Sequence, residues 1–362
     1  MQVSIVGLFF QTSTRFGRLL PDFVQTNPTK DAYWRSIILF GKNSASYKFA
    51  LGKSLLEAAD QEKTFVSLEE LAEPYARNLV DHLQKSDRQG TSASSRFLEV
   101  CRNFSRGEIA KDELVSQTAR VGFANVIDAF HNVNQVEIPV RFFVDERATR
   151  GGINLTDELL ALKEDFQYGN LNQEVEARWR LVETAWSLDI SPHLLVAKYD
   201  PSADGIYVES SGARRINVTS CRDALNGYQK GKCFYCSSDI SVEAGHEELC
   251  DVDHFFPHIL RRFLAPDKVN LDGVWNLVLS CWRCNRGKQG KSARVPAIRF
   301  LEKLHRRNEY LIGSHHPLRE TLMTQTGRME AERRSFLQEM ESFAMQHLVS
   351  RWEPSDEFRP VI

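Results

Sequence analysis

The sequence predicts an α+β protein: a mainly helical domain over residues 1–220, a smaller domain of two short strands and a helix over 221–313, and a C-terminal helical segment over 314–362. Three observations lead there. Apolar residues recur at helical spacing through much of the first half. Two Cys-x-x-Cys pairs, Cys233/Cys236 and Cys281/Cys284, bracket the stretch between them. Inside that stretch lie two runs of strand length, 250–253 and 275–280, the second rich in branched apolar side chains. A chain of 362 residues has room for two domains or three.

Taken in order, residues 1–10 are apolar but short and lack a basic leader, so a strand or buried segment is expected there rather than a signal peptide. Residues 30–84 read as helices. Gly52-Lys53-Ser54 resembles the end of a phosphate loop, but Tyr47 stands where the earlier glycine belongs. Ser67 and Glu70 form a capping box ahead of Leu68, Leu71, Tyr75 and Leu79. A polar loop over 85–95 precedes two more helices within 96–132. A strand is expected over 138–144, with Pro139 near its start, then a loop over 147–154. Thr156 can cap a helix to 166. A longer helix over 173–188 carries Val175, Trp179, Val182 and Trp186 on one face. Short strands follow at 194–199, 206–209 and 215–218, and Ser220 begins a helix into 228. Pro296 suits a first helical position, Ile298, Leu301, Leu304 and Leu311 continue the helix, and Gly313 is its expected stop. A final helix is expected over 329–352, with Phe336, Met340, Phe343 and Leu348 inward.

The cysteines carry the sharpest chemistry. One Cys-x-x-Cys turn offers two thiolates to Zn²⁺, and a second completes a tetrahedral site with no position left for water, so the metal would be structural. A redox dithiol is the alternative for one such pair; two pairs favour a metal. Cys250, Cys101 and Cys221 are expected in the core, and Tyr235 and Trp282, inside the two turns, are expected to pack. Forty-four residues separate Cys236 from Cys281. They hold Asp251-Val-Asp253-His254-Phe-Phe-Pro257-His258 and Trp275-Asn276; Asn285-Arg286-Gly-Lys288 follows Cys284. An Asp-His pair and two asparagines bracketed by a metal clasp point to metal-dependent hydrolysis of a phosphodiester. A neutral imidazole, with an ordinary pKa of about 6.5, can take a proton from water at cellular pH. A backbone carbonyl on Nδ1 is expected to fix its tautomer.

These residues resemble the HNH endonucleases and their ββα-metal fold. The resemblance covers roughly 225–313. It rests on Asp-Val-Asp-His followed by Pro257, on Asn276-Leu-Val-Leu, and on Cys284-Asn-Arg-Gly-Lys288. It looks especially like the HNH domain of RNA-guided CRISPR nucleases, with a zinc knuckle added. A large helical partner domain is similar in architecture to bacterial restriction or anti-phage effectors. The resemblance implies His254 as general base, Asp253 and Asn285 as ligands of one catalytic divalent ion, and Asn276 as the residue that fastens the loop between the strands. Many members carry His where Asn285 stands; an amide oxygen makes a harder site, which favours Mg²⁺ or Mn²⁺.

Charge fits a polyanionic partner. Residues 253–312 hold twelve Lys plus Arg against five Asp plus Glu, a local excess of +7 in a chain of formal charge −2. Arg261, Arg262, Arg283, Arg286, Lys288 and Lys291, with His258, are the expected phosphate contacts, and Arg294, Arg306 and Arg307 add to the cluster. DNA is the expected substrate and RNA stays open. So does a non-catalytic zinc module that binds nucleic acid or protein. A double-strand break takes two cuts, so one site per chain implies a homodimer or a nickase. The helical domain is expected to choose the substrate, sense a signal or dock a partner. No apolar run reaches membrane-spanning length, and seven cysteines, four of them assignable to zinc, fit a reducing cytoplasm.

Overall fold

Helix dominates and strand comes in short pieces: 53 % against 15 % of a computed structural model, which makes the fold a mixed α/β one. The structure describes residues 29–355 apart from 42, 93–94, 134–135, 210–214, 265–268 and 315. The segment expected at 1–10 therefore lies outside the described residues.

The helical half begins with α1 (Lys30–Arg35), which runs on as a π turn, and α2 (Tyr47–Asp60). β1 (Phe65–Ser67) leads into α3 (Leu68–Leu83), where the capping box forms as expected. Ser67 Oγ accepts from Glu70 N at 3.2 Å, and Glu70 Oε2 accepts from Ser67 N at 3.0 Å. Leu71, Tyr75 and Leu79 are buried behind it. α4 (Arg96–Ser105), α5 (Lys111–Val121), the short α6 (Val126–Ala129) and a small hairpin, β2 (Asn132–Val133) with β3 (Val136–Glu137), follow.

The strand expected over 138–144 begins only at β4 (Phe143–Glu146). Pro139 has no N–H to give, and the Phe142 amide donates to His131 Nε2 at 3.0 Å instead of to a neighbouring strand. The loop expected over 147–154 holds a helical turn, α7 (Arg147–Arg150), and then β5 (Gly152–Leu155), the central strand between β1 and β4. A Cβ at Gly152 would lie 2.2 Å from the Val66 carbonyl, so only glycine admits β1 that closely.

The short α8 (Asp157–Leu160) precedes α9 (Tyr168–Ser187), whose Val175, Trp179, Val182 and Trp186 are all buried. β6 (Ala197–Asp200), β7 (Gly205–Glu209) and β8 (Arg215–Ser220) make an antiparallel sheet close to the expected strands. Ser220 then caps α10 (Cys221–Gln229), its Oγ accepting from Arg222 N at 3.2 Å. β9 (Asp251–His254) pairs antiparallel with β10 (Leu277–Ser280), and α11 (Trp282–Asn285) follows. Pro296 does not start a helix. It lies in β11 (Val295–Pro296), and α12 (Ile298–Gly313) begins two residues later. An unexpected α13 (Arg319–Thr326) precedes α14 (Glu330–Leu348). That last helix stops short of 352 because β12 (Arg351–Trp352) leaves it to pair in parallel with β11. Among the described residues no helix is long and apolar enough to cross a membrane.

Buried apolar side chains run as one cluster from Ala32 to Trp352, across the divisions expected at 220 and 313. Polar groups tie the same places. Arg35, fully buried, sends Nε and NH2 to Glu174 at 2.7 and 2.9 Å and also pairs with Asp31. Glu174 Oε1 accepts from Asn226 Nδ2 at 2.8 Å, and Asn226 Oδ1 accepts from Gly231 N at 3.0 Å. One carboxylate on α9 thus holds α1 and α10 together. Removing its charge leaves the buried Arg35 with Asp31 as its one carboxylate partner among the described residues, so Glu174→Gln is expected to cost about 1.5–3 kcal/mol. Urea unfolding of the full-length protein would measure this, and a loss under about 1 kcal/mol would refute it.

Candidate functional site

The residues leaving α10 make the first half of a metal clasp. Cys233 N donates to Ser238 O at 2.8 Å, Ser237 N donates to Cys233 O at 3.1 Å, and Ser237 adopts φ +62°. This tight turn points Cys233 and Cys236 the same way. Cys281 sits just before α11 and Cys284 within it, and Phe234 N donates to Leu279 O at 2.9 Å, which seats the turn on β10. The four sulfurs, all buried, lie within 4.8 Å of one another. Cys236 and Cys281 Sγ are 3.7 Å apart; a Zn–S bond of about 2.3 Å gives a tetrahedron with edges of about 3.8 Å. The cluster could therefore hold a structural metal such as zinc. Cys250, Cys101 and Cys221 are buried away from it, and burial pushes the Cys250 and Cys101 thiols up to about 12.

β9 ends at His254, opposite Leu277 of β10. Asn276, fully buried, closes the connection between the strands. Its Nδ2 donates to Leu271 O at 2.9 Å and Phe256 O at 3.1 Å, and its Oδ1 accepts from Phe256 N at 2.8 Å. His254 Nε2 lies 2.9 Å from Asp272 Oδ1. The orienting partner is thus a carboxylate on Nε2, not the expected backbone carbonyl on Nδ1. With Nε2–H donated to Asp272, Nδ1 is the proton acceptor, a tautomer inferred from the bond. Asp272 is itself fixed by Arg261 and by its own amide, which donates to Asn270 Oδ1 at 3.0 Å. His258 Nε2 approaches the same Asp272 oxygen at 3.6 Å. Burial lowers the His254 pKa, and the pull of Asp272 only partly offsets it. Sequence reasoning missed Asp272; its signal was the Asn-x-Asp-Gly turn at 270–273.

The two expected ligands of a catalytic ion have different partners. Asp253 is buried. Its Oδ2 accepts from the Tyr235 hydroxyl at 2.6 Å and its Oδ1 lies 3.2 Å from Lys291 Nζ, which also donates to His254 O at 2.9 Å. Asn285 lies instead on Asp251, its Nδ2 donating to Oδ2 at 3.1 Å, and Arg286 grips the same carboxylate at 2.9 and 2.6 Å. Each aspartate already carries a cation. Among the described residues only the four cysteines converge as three or more His, Cys, Asp or Glu ligands. Asp253 and Asn285 thus each have a partner of their own, Lys291 with Tyr235 for the one and Asp251 for the other.

The basic cluster divides. Lys291, 1 % exposed, is the partner of Asp253 and no surface phosphate contact. Arg307 is also buried; it donates to the carbonyls of Leu277, Val274 and Trp275 at 2.9–3.2 Å. Arg294 donates to the carbonyls of Gln289, Gly290 and Lys291. Arg261 and Arg286 are exposed but paired with Asp272 and Asp251. Arg262, Arg283 and Lys288 are exposed and make no ion pair with a described residue. Trp282, expected to pack, is 56 % exposed, whereas Tyr235 is fully buried.

If the cysteines hold a structural metal, Cys284→Ser removes a thiolate no neighbour replaces. The purified protein should bind one zinc per chain, and the variant should lose it and melt at least about 5 °C lower. Unchanged zinc content and melting temperature would rule the site out. No protein-family model matches the chain, and no similar protein was found among curated proteins or among solved structures.

Proposed function

We propose that the chain is an endonuclease of the HNH type that hydrolyses phosphodiester bonds, DNA being the expected substrate. The supporting observation is the His254–Asp272 pair at the end of β9. One ring nitrogen is committed to a carboxylate and the other is left basic, the arrangement a general base needs to take a proton from water. Asn276 holds the loop that carries Asp272 against the end of β9, and Arg262, Arg283 and Lys288 are exposed cations with no ion pair among the described residues.

A second reading has its own support. Asp253 and Asp251 are neutralised by Lys291 and Arg286, which suits a zinc-stabilised module that binds nucleic acid or protein without cutting.

Plasmid, single-stranded DNA and RNA, each incubated with Mg²⁺, Mn²⁺ or EDTA, separate the two. For an endonuclease, His254→Ala should lose at least about 100-fold in rate with zinc content and melting temperature unchanged. A variant as active as the wild type would remove His254 from the chemistry, and no cleavage of any substrate would favour the binding module.

The pH profile tests the dyad. Because burial depresses His254, the base stays neutral at pH 7, and the rate should hold until the pH falls below about 6.5. Asp272 opposes that depression, so Asp272→Asn should carry the acid limb lower still while reducing the plateau. An acid limb that does not move would mean Asp272 does not act through His254.

A further inference from the structure

A cavity of about 370 Å³ opens beside the four cysteines, walled by Trp282, Arg283, Gly287, Lys288, Gln289 and Trp352. Its walls are built, not accidental. Trp352 is buried and its indole Nε1 donates to Gln289 O at 2.7 Å, which fixes the back of the cavity. The 287–290 turn closes with Gly290 N donating to Gly287 O at 2.7 Å. A Cβ at Gly287 would fall 2.5 Å from the Arg283 carbonyl, so the turn is pressed onto α11 and presents Lys288 at its tip.

Trp282 is the anomaly. It sits between two buried ligand cysteines, yet its indole is more than half exposed. An indole this exposed on a rim is a flat apolar face that the described residues do not cover. The two cations of the rim, Arg283 and Lys288, are also without an ion pair among the described residues, while most other basic side chains around the site are buried or paired.

We infer that this cavity binds an unpaired nucleotide of a polynucleotide, its base stacked on Trp282 and its flanking phosphates against Arg283 and Lys288. The inference rests on the endonuclease reading and deepens it by naming where the strand is held. A flat π-face with two cations lining the same cavity suits a stacked base, whose neighbours along the strand are anionic. Bases inside a duplex present only their edges, so the site calls for single strand, a flap or an unpaired end. The position is useful. Trp282 and Asn285 stand three apart on α11, hence about 5–6 Å apart on its surface, and Asn285 touches Asp251 at the start of the strand that ends in His254.

Zinc-loaded full-length protein, titrated with fluorescein-labelled oligothymidine and read by anisotropy, tests this. Trp282→Ala should weaken binding about 5- to 100-fold at fixed salt. Trp282→Phe should bind within a few-fold of the wild type but lose most of the tryptophan quenching that an unlabelled oligonucleotide causes. Trp282→Ala binding within twofold of the wild type, or quenching unchanged in Trp282→Phe, overturns the inference. Should Trp282→Ala lose zinc, the Phe variant alone decides. Two failures stay distinct. A wild type that cleaves polynucleotide while Trp282 variants bind normally removes only the stacking site. A wild type that neither binds nor cleaves removes the endonuclease reading and the stacking site with it.

Discussion

The buried carboxylate of Glu174 is the constraint on which the other parts hang. A charge taken out of water must be met by nearly ideal partners, and few geometries supply them. Here Arg35 answers both oxygens and Asn226 answers one of them again. Those partners come from α1 and α10, far apart in sequence, so satisfying one glutamate sets where α10 lies. Asn226 passes the constraint on by accepting the Gly231 amide. Gly231 takes φ +66°, and any Cβ there would overlap the Gln167 side chain. The chain can therefore leave α10 in only one direction, the one that delivers Cys233.

From that point hydrogen bonds carry the order to the candidate site. Gln229 acts as an extra strand residue, with Nε2 donating to Leu279 O at 2.7 Å and Oε1 accepting from Leu279 N at 2.8 Å. Arg307 meets the carbonyls of Val274, Trp275 and Leu277 from α12. β10 is thus gripped on its backbone by two buried side chains and paired with β9 besides. A strand of four residues would be marginal alone; these outside partners allow it to hold His254 in a fixed place. Metal binding, where it occurs, would add to the same structure, because the turns that present the thiolates are already formed by backbone bonds.

Much of this was legible in the sequence wherever the signal is local. The capping box of α3, the apolar face of α9, the cap of α10 and the two Cys-x-x-Cys turns all depend on residues within a few positions of one another. What escaped depends on distant partners. β5 reads as a loop because Arg-Gly-Gly is turn chemistry, yet Gly152 is there for close approach to β1. The helix before α14 escaped because its inward face is short: only Thr321, Leu322 and Thr326 are buried. Trp282 reads as packing because it lies inside a Cys-x-x-Cys turn, but neighbours on a helix face different ways, and its indole is exposed while Cys281 and Cys284 are buried. Asp272, the partner of His254, lies 18 residues away on a turn with no periodicity of its own.

Charge was the least readable property. Counting residues over 253–312 gave an excess of +7, and the count treated every cation as available. The fold distributes them by what each must satisfy. Asp253 cannot be buried without a counter-charge, and Lys291 supplies it; Arg307 satisfies strand carbonyls; Arg261 and Arg286 offset Asp272 and Asp251. Among the described residues of this stretch, Arg262, Arg283 and Lys288 are exposed and left without an ion pair. Arg283 and Lys288 stand around one cavity, with Arg262 on the turn after β9. A surface of that kind would grip a strand at a few points and depend on a stacking contact for the rest of its affinity. A uniform basic face, by contrast, would bind any polyanion through counterion release alone. If the chain binds a polynucleotide as proposed, the exposed indole beside Arg283 and Lys288 is what would separate the two modes of binding.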